Sequence, residues 1–146
     1  MWGVIASLQP DLLLLLGDNV YIDDPRDRDY QRYIYYRRQS QPAYRQLCAT
    51  TPVYCIWDDH DYGMNDGNRD YPKKAEAKQQ FMSFLGLSEQ HPMNRHPGIY
   101  HSRLYGTAPH QVKVIMLDTR TFQDPLAKTP RGSARNYVPH PTGTLL

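Results

Sequence analysis

Two short strings carry the residue types that do chemistry. The first is Gly17-Asp18-Asn19, with Tyr21 just beyond it. The second is Asp58-Asp59-His60-Asp61, with Asn65 nearby. The chain has 13 Asp and only two Glu, and five of those Asp lie between Asp58 and Asp70. Carboxylates gathered at one place repel one another and raise each other's pKa. A bound cation relieves the repulsion and keeps them ionised. Oxygen donors with one His or one phenolate suit hard or borderline cations. A pair of such metals clamps a phosphate and activates a water at neutral pH. His60 beside them could protonate a leaving alkoxide or hydrogen-bond a phosphate oxygen. The plainer alternative is that Asp after a strand is a turn or cap residue. That explains a lone Gly-Asp. It explains less well the polar run Asp58–Asp61 set directly behind an apolar strand that holds Trp57. Asn65-Asp66-Gly67 is not an EF-hand, because the ligand spacing before the Gly and the Glu after it are absent.

These strings need elements to position them. Leu12–Leu16 is a continuous apolar run between Pro10 and Gly17, the pattern of a strand covered on both faces. Val53–Trp57 is a second short strand, opened by Pro52. Between them, residues 29–38 form a predicted helix with Tyr30, Tyr33 and Ile34 on one side. A further helix starts at Pro42, with Tyr44, Leu47 and Cys48 on its face. Helical connections make the two strands parallel. Parallel strands end on one sheet edge, where α/β proteins bind ligands. Asp18, Tyr21 and Asp58 to Asp61 are therefore expected to converge.

Elsewhere, Met1–Gln9 reads as a short helix, and Asp24-Pro25 breaks the chain. Asp70 is expected to cap a helix that stops at Gly86, with Ala75, Phe81, Met82 and Leu85 on its buried face. Ile99–Tyr105 and Gln111–Leu117 read as a hairpin, followed by Asp118-Thr119-Arg120. Arg26, Arg28, Arg32, Arg37, Arg38 and Arg45 read as a solvated face. The alternation of strands and helices is α/β logic. Residues 1–124 read as the body of one domain, and 125–146 as a Pro- and Gly-rich loop segment of it.

Composition excludes several classes. Leu, Ile, Val and Phe number 29 of 146, so the two Trp and 12 Tyr must supply much of the burial. A net charge of +2 is too mild to imply nucleic acid. No apolar run approaches the ~18 residues of a membrane span. The first residues carry no basic region or small-residue cleavage site of a signal peptide, and the compartment stays open. Cys48 and Cys55 are expected to be buried thiols.

Gly17-Asp18-Asn19-Val20-Tyr21-Ile22-Asp23-Asp24, with Ile56-Trp57-Asp58-Asp59-His60-Asp61-Tyr62-Gly63-Met64-Asn65-Asp66, resembles the alkaline phosphatase D-like (PhoD-like) metallophosphatases of the calcineurin-like superfamily. Pro10-Asp11, Pro52-Val53 and Leu117-Asp118-Thr119-Arg120 agree with it, so the likeness runs from Trp2 to about Asp124. The resemblance implies a partial metallophosphoesterase-type β-sandwich flanked by helices (αββα), lacking N- and C-terminal parts of the domain. It implies hydrolysis of phosphomonoesters or phosphodiesters at a binuclear metal site, with iron and calcium typical. By the resemblance, Asp18 bridges the metals and Tyr21 is the phenolate ligand. Asp59 stands where the wider superfamily has a ligand Asn, and His60 approaches the phosphate. Asp58 and Asn65 are ligands, groups that orient the ligands, or structural residues. Arg120 is a phosphate-contact candidate that also serves the sheet edge with Asp118. The alternative function is a non-catalytic remnant that binds at most one cation or a partner.

Overall fold

The computed structural model describes residues 1–21, 28–131, 133 and 135–146, with only the backbone of Arg28 and Gln31. The expected break at Asp24-Pro25, Arg26 and the Arg28 side chain lie outside this description. Strands β1 (Leu13–Leu15) and β2 (Val53–Cys55) pair in parallel, Leu13 opposite Val53 and Leu15 opposite Cys55. Helices α2 (Arg28–Gln39) and α3 (Pro42–Thr50) lie between them in sequence. Pro42 opens α3 with its φ already helical. Arg37 and Arg38 in the last turn of α2 suit the negative end of its dipole. Helix α1 (Trp2–Ser7) packs on α3 through the edge-on rings of Trp2 and Tyr44, 4.9 Å apart.

Strands β3 (His101–Thr107) and β4 (His110–Met116) form the expected antiparallel hairpin. Helix α4 (Asp59–Tyr62) follows β2, and α5 (Lys74–Phe84) follows α4. The α/β class holds, with two separate two-stranded sheets among the described residues. Among those residues no helix is long and apolar enough to cross a membrane.

The core is largely aromatic. Trp57 meets Tyr62 edge-on at 5.0 Å and Phe81 at 5.5 Å, and Tyr62 meets Tyr71 at 5.3 Å. Tyr35 of α2 stacks on Phe84 of α5 at 4.4 Å. Tyrosine thus fills the volume that the shortage of aliphatic residues leaves open.

Several expectations are corrected. The Leu12–Leu16 run is not covered on both faces: Leu14 is 38% and Leu16 is 70% exposed, because alternate side chains of the strand point to opposite faces and the Leu14 face is left open. Tyr30 and Tyr33 are exposed, and α2 instead turns Tyr35 inward with Ile34 and Arg38 beside it. Arg38 is therefore not a solvated residue. Cys48 is exposed and only Cys55 is buried, since α3 buries its Tyr44–Leu47 line and Cys48 falls beside it. Asp70 does not cap α5. The helix starts after Lys73, because Tyr71 turns inward and residues 71–73 form a turn. The buried face of α5 is Ala77, Phe81, Met82 and Phe84; Ala75 is exposed and Leu85 half-buried. Asp59–Tyr62 is a helical turn rather than a continuation of loop.

Candidate metal centre

The ends of β1 and β2 are tied together by one buried carboxylate. Asp61 accepts hydrogen bonds from Asn19 N (3.0 Å), Asn19 Nδ2 (3.2 Å), Val20 N (3.0 Å) and Asp58 N (3.1 Å). Burial pushes its pKa up to about 6, while those N–H groups act the other way. Asn19 Nδ2 also donates to Ile56 O at 2.9 Å, which locks the first turn to the second strand. The approach is close enough to require glycine. Gly17 has φ +120°, and a Cβ there would sit 2.7 Å from Asp58 Cβ. Asp18 follows in the left-handed region with φ +47°.

This turn brings Asp18 against the first turn of α4. Asp18, Asp59 and His60 each offer one donor atom, and the three atoms lie within 4.8 Å of one another. The Tyr21 hydroxyl donates to Asp18 Oδ2 at 3.0 Å, and its ring lies 4.3 Å from the His60 ring. The bond to Asp18 and the charge of Asp18 raise the Tyr21 pKa. Asp18 Oδ1 is buried and, among the described residues, accepts no hydrogen bond. A buried anionic oxygen without a donor is costly. A cation at that oxygen removes the cost, so the donor set fits a metal ion. Asp59 is held from both sides: Oδ1 accepts His60 N at 3.1 Å and Oδ2 accepts Asp66 N at 2.8 Å.

Asp58 and Arg120 form a flank. Arg120 Nε donates to Asp58 Oδ1 at 2.5 Å, and its Nη2 lies 3.8 Å from Asp59 Oδ1. Arg120 is aimed by Asp118, which accepts its backbone N–H at 3.0 Å. Asp118 is 1% exposed and also accepts Trp57 Nε1 (2.9 Å), Ile99 N (2.8 Å), Thr121 N (3.0 Å) and Thr121 Oγ1 (2.7 Å). It joins the end of β2 to the start of the hairpin and to the Arg120 turn.

The structure therefore brings Asp18, Tyr21, Asp59 and His60 together. Asp58 is drawn toward Arg120, and Asn65 is exposed on the turn after α4. Sequence reasoning placed Asp61 in the cluster but missed its role as the tie between strands. The signal was its position, fourth in a polar string after an apolar strand. It also missed Tyr137, whose hydroxyl donates to Asp66 Oδ2 from the Pro- and Gly-rich segment, where no pattern marks it. The later histidines His91, His96, His101, His110 and His140 stay outside the three-donor group.

A solved structure described as "Structure of PhoD" superposes with a TM-score of 0.68 at 21% identity, covering 88% of this chain and 31% of that chain. The chain thus spans about a third of the length of that structure. No curated protein sequence matches. A family model described as "PhoD-like phosphatase" matches residues 1–146 from end to end. On that match, the chain belongs to the PhoD-like phosphatase family.

Proposed function

We propose that this chain supplies the metal-holding and phosphate-facing part of a metal-dependent phosphoric ester hydrolase. The observation that carries the reading is the meeting of Asp18, Asp59 and His60, with the buried Asp18 Oδ1 left without a donor among the described residues. Asp18, Tyr21 and Asp59 are the proposed metal ligands, with Asp58 and Asn65 as outer candidates. Iron with calcium is the proposed metal pair. When bound, the metals supply Lewis-acid charge and lower the pKa of a water.

The chain's own residues do the rest. Tyr21, whose hydroxyl donates to Asp18, would hold a metal through its phenolate oxygen once its proton passes to solvent. Asp61, fixed by four N–H donors, holds the Asp18 turn against α4. His60 hydrogen-bonds a phosphate oxygen or protonates the leaving alkoxide. Arg120, steered by Asp58 and Asp118, presents a guanidinium to phosphate oxygens. Asp59 is oriented by the N–H groups of His60 and Asp66 before any ligand arrives.

A second reading rests on the donor count. Asp18, Tyr21, Asp59 and His60 suffice for one ion, and a pair needs more donors than the described residues gather. On that reading these 146 residues alone bind one cation and turn over little. The experiment is iron loading followed by absorption spectroscopy and nitrophenyl phosphate hydrolysis. Tyr21→Phe is expected to abolish the iron–phenolate band, and Asp18→Ala to abolish tight iron binding. A band that survives Tyr21→Phe removes Tyr21 from the ligand set. Strong turnover by the chain alone overturns the second reading.

A further inference from the structure

An open cavity of about 550 Å³ lies beside the Asp18 turn, lined by Trp2, Asp18, Asn19, Tyr21, Arg37 and Arg38 among others. Its lining therefore includes Asp18 and Tyr21 of the candidate metal centre together with two arginines. Arg38 is seated firmly. Its guanidinium carbon lies 4.8 Å from the Trp2 ring centre, 5.4 Å from Tyr44 and 5.9 Å from Phe84. These rings hold the guanidinium by cation–π attraction, which leaves its N–H donors free for oxygen acceptors. A guanidinium has five N–H donors. Among the described residues those of Arg38 find one acceptor, Asn19 O, and Nε is buried without a partner. Arg37 touches the Tyr33 ring at 5.8 Å. Among the described residues neither arginine pairs with a carboxylate.

Pre-oriented guanidinium donors with spare bonding capacity match an oxyanion, and bidentate pairing with phosphate is their best geometry. We propose that Arg38, assisted by Arg37, forms a second anion subsite for a phosphate-type group. In substrates, that group belongs to the alcohol part of the ester and lies next to the phosphate at the metal centre. The favoured substrates are then phosphate esters with a second anionic group close to the scissile one. The substrate half of this proposal rests on the phosphoric ester reading above; the anion subsite itself does not.

The test uses metal-stripped protein and isothermal titration calorimetry with inorganic phosphate. Saturable binding is expected, weakened about tenfold or more by Arg38→Gln and less by Arg37→Gln. Arg38→Lys keeps the charge but not the fork, and is expected to fall in between; it carries the test if Arg38→Gln does not fold. Asp18→Asn is expected to keep or tighten phosphate binding, because it removes a negative neighbour. Absence of saturable binding overturns the subsite. So does binding indifferent to Arg38→Gln, or binding abolished by Asp18→Asn. For the substrate half, a phosphodiester with a pendant phosphate is compared with one that lacks it. Tighter binding of the first, lost in Arg38→Gln, supports the proposal. Equal binding limits the site to free phosphate and overturns that half. Iron binding lost with phosphate binding intact would defeat the phosphatase reading and leave the subsite standing.

Discussion

Asp118→Asn tests the clamp that joins the strand end to the hairpin and to Arg120. The buried carboxylate accepts three donors on Oδ1 (Trp57 Nε1, Arg120 N, Thr121 N) and two on Oδ2 (Ile99 N, Thr121 Oγ1). An asparagine has one accepting oxygen. Its better orientation keeps the Oδ1 set and turns its NH2 toward Ile99 N. Thr121 Oγ1 can rotate to accept, but the Ile99 N–H is left without an acceptor. An unsatisfied buried donor costs about 1–3 kcal/mol, and each remaining bond loses its charge assistance. One effect opposes this. Among the described residues no cation pairs with Asp118, so neutralisation relieves a buried charge. The bonds outnumber that relief, and a net loss of about 3 kcal/mol is expected. That is a large share of a stability on the order of 10 kcal/mol. It corresponds to a fall in Tm of about 6–12 °C for a chain of this size. The assay is urea unfolding followed by tryptophan fluorescence, since Trp57 is itself bonded to Asp118. A loss below about 1 kcal/mol at unchanged m would refute the reasoning, because relief of the buried charge would then outweigh the lost bonds.

Gly17→Ala forces a Cβ to 2.7 Å from Asp58 Cβ at φ +120°, so a loss of about 2–4 kcal/mol and weaker metal binding are expected; unchanged stability would mean the strand ends can part freely. His60→Ala in metal-loaded protein is expected to lower turnover more than metal content, and equal losses would make His60 a ligand. Cys48 is expected to react at once with a disulfide reagent, whereas Cys55, buried and with its thiol pKa pushed up, reacts only on unfolding. Equal rates in the native protein would contradict that burial.

The convergence of the two polar strings was legible because it follows from topology alone. Two apolar runs, helices between them and polar residues at both ends leave one sheet edge for Asp18, Tyr21 and Asp58–Asp61. Helix faces were less legible. Tyrosine is apolar enough to pack and polar enough to face water, so periodicity could not choose between Tyr30, Tyr33 and Tyr35 in α2. Arg38 was misread for a related reason: its charge suggests solvent, but its flat guanidinium packs on three rings. The Tyr137 contact with Asp66 had no local signature at all, since it arises from where an irregular segment folds back. The expected cover over both faces of β1 failed because an apolar run reports what a strand can bury, not what lies beside it.

The long sequence separations at the polar edge have a kinetic consequence. Asp61 meets Asn19 across 42 residues, and Trp57 meets Asp118 across 61. Closing such loops costs entropy before the contacts return anything. Helices α2, α3 and α5 are local and can form beforehand. A cation that needs Asp18 and Asp59 together therefore finds no binding partner until the chain is essentially native. It would leave the folding rate unchanged and slow unfolding, by stabilising only the finished state. Metal capture would thus mark completed molecules, and those lacking it would be the first to open.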